Sequence, residues 1–256
     1  MIRQLNTPTH KQIIRNALAA FGLAFFFAVI LFSCDSGKRD IRAYYFPVDS
    51  LTTGQVYAYV SEDGTTGDQS YWYYQTIKSD SGTFLVGTQY DRFFEVNQIV
   101  REKIVENGSL ARECFLYEPD TSTGKSIAIH TAIESANLFP FQVTDSLGVF
   151  LYRIKYAPPA EPEATIYLIR NRRYLGDGPD FAFEGKAYPT IRFGIREAIG
   201  HSAEGTAEIE GEGEEWYAKG LGLVYYRKSY GTEHNIEYAF RLRERFPMEE
   251  LVRRAQ

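Results

Sequence analysis

The sequence predicts an all-β fold, a mainly antiparallel curved sheet shaped as a half-barrel or sandwich, closed by a short C-terminal helix. Three observations carry this. After position 40 the apolar residues recur with period two, the spacing that places side chains on one face of a strand. The 256 residues include 2 Trp, 19 Tyr and 18 Phe, residue types that favour strands. Turn-forming pairs separate the apolar runs at short intervals.

The elements follow in order. Residues 1–16 carry Arg3, Lys11 and Arg15 and no acid, and Ala17 to Phe32 form an uncharged apolar run. Cations followed by a short apolar stretch are the pattern of a secretory signal, and 16 residues fall short of the roughly 20 of a spanning helix. Leu31-Phe32-Ser33-Cys34 resembles the lipobox of Gram-negative lipoproteins. That resemblance implies cleavage before Cys34, a diacylglyceryl group on its thiol and palmitate-type acyl chains in a membrane. Each buried methylene contributes about 0.8 kcal/mol, and two or more chains hold a protein stably. Residues 34–40 are then a polar tether, and 41–256 a single β-rich domain, with a subdivision near 157–164 as the alternative. The expected location is the cell envelope, anchored to a membrane (the outer one favoured), with the domain in the periplasm or at the cell surface.

Strands are expected at 55–61, 70–78, 83–90, 94–104, 109–117, 126–133, 148–156, 165–173, 188–196, 206–210, 214–218, 221–229 and 236–242. In the last, Ile236, Tyr238, Phe240 and Leu242 share one face, with Glu237, Arg241 and Arg243 opposite. Phe94, Val96, Gln98, Val100, Glu102 and Ile104 likewise share a face, and Asn107-Gly108 after them suits a tight hairpin because both residue types accept positive φ. Ala157 to Pro162, with three prolines, cannot join a ladder and reads as a loop. Pro247 to Arg254 has acids early and arginines late, as a short helix would.

Charge narrows the function. The formal net charge is −5; without the three cations of residues 1–33 it is −8, which argues against nucleic acid as a partner. With Cys34 acylated, Cys114 has no disulfide partner, and it reads as a small buried hydrophobe. His130, His201 and His234 lie 71 and 33 residues apart, a spacing that fits no local metal motif. Neither a Gly-x-Ser-x-Gly elbow nor a phosphate or dinucleotide loop occurs. No catalytic, cofactor or metal residue is therefore assigned. The run Glu204 to Glu215 repeats carboxylates at 208, 210, 212 and 214; it reads as a solvated edge hairpin whose charges discourage pairing rather than as a calcium site. Tyr71-Trp72-Tyr73-Tyr74 is the candidate ligand contact: in a strand, alternate members face opposite sides.

A second resemblance comes from Gly185-Lys186-Ala187-Tyr188 and Glu214-Glu215-Trp216-Tyr217-Ala218-Lys219-Gly220-Leu221-Gly222-Leu223-Val224. These are similar to the closing hairpins of uncharacterised β-rich envelope lipoproteins. Some such sheets resemble the half-barrels of lipoprotein carriers, which implies a concave apolar face and transfers no functional residue. Three readings follow: a non-catalytic module that binds a lipid, glycan, peptide or partner protein; a hydrolase with a dispersed site using His130 and glutamates; and a structural envelope protein.

Overall fold

The structure, a computed structural model, describes residues 37–62, 69–120, 122–144, 148–201, 207–231 and 236–256. Cys34, the signal segment and His234 lie outside the described residues. The chain divides into Met1–Lys38 and a compact unit Arg39–Gln256, and the account below concerns the second.

In chain order the strands are β1 (Lys38–Asp40), β2 (Gln55–Ser61), β3 (Gln69–Ser79), β4 (Gly82–Tyr90), β5 (Val96–Val105), β6 (Gly108–Pro119), β7 (Ser126–His130), β8 (Ala132–Pro140), β9 (Gln142–Thr144), β10 (Val149–Tyr156), β11 (Ile166–Asp177), β12 (Phe181–Phe183), β13 (Lys186–Tyr188), β14 (Thr190–His201), β15 (Ala207–Ala218), β16 (Gly222–Tyr230) and β17 (Ile236–Phe246); helix α1 is Met248–Arg254. The large sheet runs β5-β4-β3-β2-β17-β16-β15-β14-β11-β10-β8-β6-β7, and β5 also pairs with β6. That last pairing, Gln98↔Leu116 to Val105↔Gly108, closes a ring of twelve antiparallel strands among the described residues. The expected all-β antiparallel fold is thus correct, and its curvature passes beyond a half-barrel. The Pro-rich segment after Tyr156 links β10 to β11, which pair directly.

Several local expectations are corrected. Asn107-Gly108 does adjoin a hairpin, but neither residue has positive φ. Gly108 is instead demanded by proximity, since a Cβ there would meet the Phe139 carbonyl oxygen at 2.5 Å. Phe94 is not in β5; it sits in the preceding turn at φ 65, where Asp91 accepts the Phe93 and Glu95 amides at 2.8 and 2.9 Å. The acidic run is no edge hairpin, because β15 pairs with β14 on one side and β16 on the other. Glu210 and Glu212 are exposed, and Glu214 pairs with Arg192 at 3.4 Å. Nothing is described of the Glu208 side chain.

The chain enters at one end of the barrel and fills it. Arg39, placed by the sequence in the tether, lies in β1 and binds Asp177 at 2.6 Å and the Tyr174 hydroxyl at 2.7 Å. The amide of Ile41 donates to Phe141 at 2.8 Å, Gly220 to Ala43 at 2.8 Å and Thr76 to Leu51 at 2.8 Å, so residues 41–51 are tied to several strand ends. Ile41, Tyr45, Phe46 and Leu51 are buried there among Tyr57, Phe139, Phe141, Phe193 and Tyr217. Gly222 allows this seat: it has φ 90, and a Cβ would meet the Phe46 ring at 2.5 Å. Helix α1 packs Leu251 outside the ring, with Val56, Tyr71 and Phe246.

Six neighbouring strands of the ring carry exposed charge on the outer wall. Lys155, Arg173, Arg196, Glu212, Arg227 and Arg243 on successive strands are exposed. A bilayer-spanning barrel needs an apolar outer band, where Arg or Lys at mid-depth costs about 2–4 kcal/mol. Along these six strands the charges interrupt any such band.

Candidate functional site

Above the plug the barrel encloses a cavity of about 530 Å³. Its existence follows from the alternation of the strands. Trp72 and Tyr74 on β3, Gln98, Val100 and Glu102 on β5, Tyr152 and Ile154 on β10, and Leu168, Arg170 and Arg172 on β11 all face inward. Glycine supplies space for the larger rings: Gly87 stands opposite Tyr74 in the register, and a Cβ there would meet that ring at 2.9 Å. Tyr45, Phe46, Phe139 and Tyr217 form the floor.

One wall is charged. The registers align Arg170 with Glu197, Glu197 with Gly211 and Gly211 with Tyr230. Because Gly211 has no side chain, Tyr230 lies across β15 and donates to Glu197; a Cβ at Gly211 would meet the Tyr230 ring at 2.4 Å. Arg170 donates to the same carboxylate, and Lys228 bonds both its oxygens at 2.9 and 3.0 Å. Beside this group Arg172 holds Glu215 through Nε at 2.9 Å and Nη2 at 3.3 Å, and the Tyr217 hydroxyl donates to Glu215 at 2.9 Å. Arg172, Glu197 and Glu215 are 5%, 5% and 4% exposed.

The pairing sets the protonation. Burial alone would raise the Glu197 carboxyl, but Arg170 and Lys228 outweigh it and hold it well below the usual carboxylate range. Glu215 obeys the same balance, with Arg172 and Arg170 bringing it to about 2. Burial and the adjacent Arg170 lower Lys228 to about 8, against the pull of Glu197 and Glu215. Across the cavity, burial raises the Glu102 carboxyl, while a 2.6 Å bond from Tyr45 and the field of Arg172 oppose this. Removing water strengthens each of these interactions and makes unmatched groups costly. Arg172 Nη1 and the Tyr152 hydroxyl are such groups, each buried without a hydrogen-bond partner.

The aromatic run divides as alternation requires. Trp72 and Tyr74 stack at 5.6 Å with an interplanar angle of 6° and line the cavity. Tyr71 faces the other way, stacked on Phe94 at 5.3 Å in the cluster under α1, and Tyr73 packs against that cluster. Cys114 is buried beside Val100, Tyr152 and Ile154, as expected of a small hydrophobe. His130 is exposed on β7 against the Phe115 ring at 5.0 Å, and His201 contacts Glu161 at 3.1 Å; neither lines the cavity. The residues that sequence reasoning missed are Arg170, Arg172, Glu197, Glu215 and Lys228.

Neither a protein-family model nor a curated protein matches the chain. Two solved structures are similar to it. A candidate exported protein with a YmcC-like fold from Bacteroides fragilis shares 14% identity over 79% of this chain and 98% of its own, with a TM-score of 0.51. A candidate lipoprotein from Parabacteroides distasonis shares 12% identity over 78% of this chain and 95% of its own, with a TM-score of 0.45. The likeness to the Bacteroides fragilis protein is one of fold.

Proposed function

We propose that this chain is a lipid-anchored protein of the bacterial envelope that holds a small amphipathic ligand inside its barrel, as a non-catalytic binding module. The observation that carries the reading is the cavity of about 530 Å³, with aromatic and aliphatic walls on one side and a buried charged network on the other. Binding sites for small molecules have this size and this mixture of apolar lining with a few fixed polar groups. The lipobox-like Leu31 to Cys34 supports export and anchoring, and the fold shared with a candidate exported protein is in keeping with it.

The two tryptophans supply the test. Trp72 lines the cavity, whereas Trp216 donates to Glu214 at 2.5 Å and packs on Tyr225 outside it. In a Trp216→Phe protein, emission therefore reports on the cavity wall. Titration with 8-bromooctanoate, whose bromine quenches indole at contact, should quench Trp72 along a saturable one-to-one curve. A linear response without saturation would contradict the reading.

A further inference from the structure

We infer that the ligand's polar end is an anion, a carboxylate or an equivalent single-headed oxyanion, seated against Arg172, and that its body is a single chain or ring system. This rests on the proposed binding of an amphiphile in the cavity and specifies its chemistry.

Size favours a small ligand: about 530 Å³ lies within the roughly 300–1,000 Å³ of pockets that take one small molecule, room for a single chain with its head. The apolar section has its lining in Trp72, Leu116, Leu168 and Ile199.

The charged wall determines the head. Glu215 and Glu197 have their needs met by Arg172, Arg170, Lys228, Tyr217 and Tyr230. Two cavity-lining residues keep a buried donor without an acceptor, Arg172 at Nη1 and Tyr152 at its hydroxyl; of the two, Arg172 carries the charge, on a side chain 5% exposed. Buried donors are nearly always satisfied, and an exception needs an explanation. Arg172 lines the cavity, so a ligand oxyanion that reached its guanidinium would supply the absent acceptor, and a guanidinium binds planar two-oxygen groups well. A cationic head would face Arg170, Arg172 and Lys228 with their carboxylates already engaged, and Glu102 across the cavity is already bonded by Tyr45 and is raised by burial.

The experiment uses the full-length chain in lipid nanodiscs, carrying Trp216→Phe, and compares octanoate, octanol and octylammonium by displacement of 8-bromooctanoate. Octanoate should bind at least tenfold more tightly than octanol, and octylammonium more weakly than either. Adding Arg172→Met with Glu215→Gln, which removes both partners and leaves no unpaired charge, should weaken octanoate tenfold to a hundredfold more than it weakens octanol. Equal affinities of octanoate and octanol, or equal losses for both in the paired variant, would overturn the anionic head while leaving amphiphile binding in place. Failure of all three to bind would overturn both readings. The comparison of heads in the chain with native Arg172 and Glu215 decides the matter even if the paired variant does not fold.

Discussion

Arg172→Met tests the energetics of the charged wall. The substitution removes two hydrogen bonds from Glu215, at 2.9 and 3.3 Å, and leaves a carboxylate 4% exposed with the Tyr217 hydroxyl as its direct partner. Breaking a buried ion pair from one side costs about 3–5 kcal/mol. The lowered Glu215 carboxyl sets an upper bound on the share of Arg172, because Arg170 and Lys228 also hold it down. Glu215 falls from 4.5 to about 2 in the fold, and at 1.36 kcal/mol per pH unit this corresponds to about 3 kcal/mol. A carboxyl lowered by folding contributes stability above its unfolded pKa and loses it as the pH falls through the folded value. Urea unfolding followed by circular dichroism should therefore show Arg172→Met less stable by about 3 kcal/mol at pH 7, with the gap to the parent narrowing between roughly pH 5 and pH 2. Arg172→Met with Glu215→Gln should recover most of the loss, since a buried pair removed whole is often neutral. A deficit below about 1 kcal/mol at pH 7, or one that persists unchanged at pH 3, would refute the reasoning.

Three further outcomes follow from the same geometry. Gly211→Ala places a methyl 2.4 Å from the Tyr230 ring and should cost about 1–3 kcal/mol, read as a lower thermal midpoint; an unchanged midpoint would contradict the crossing of β15 by Tyr230. Octanoate affinity should fall several-fold as the pH rises through about 8, where Lys228 loses its proton beside Arg170, Glu197 and Glu215; a flat profile from pH 7 to 9.5 would exclude Lys228 from the site. Cys34→Ser should abolish the acyl mass seen by mass spectrometry of the mature chain and release it from membranes or leave it unprocessed, whereas normal processing and retention would refute the anchor.

Much of the fold was legible because period two is a local property. Tyr238, Phe240 and Leu242 do face inward while Ile236 at the start of β17 is exposed, and β10, β11 and β16 lie within a few residues of their expected spans. The β5–β6 hairpin was legible at Asn107-Gly108, but closure of the ring was not, since it also depends on pairings between strands far apart in sequence, β2 with β17 and β6 with β8, where Gly108 packs under Phe139. The 206–210 and 214–218 segments looked like two strands because Gly211 and Gly213 interrupt them, but those glycines sit mid-strand where neighbouring side chains or backbone press close. The charged wall did leave a signal. Arg170 and Arg172 share parity with Ile166, Leu168 and Tyr174; Glu197 shares it with Phe193 and Ile195, and Lys228 with Val224 and Tyr226. Opposite charges on the apolar faces of several strands indicate an internal network. Attention to the acidic run instead selected Glu210, Glu212 and Glu214, whose parity is outward, and overlooked Glu215.

The most direct measurement is the position of a heavy-atom ligand in crystals of the protein soaked with 8-bromooctanoate. The anomalous bromine peak should lie within the barrel among Trp72, Leu168 and Ile199, with the carboxylate within hydrogen-bond distance of Arg172 Nη1. Bromine found only on the outer wall, with the interior holding water, would contradict an internal ligand site.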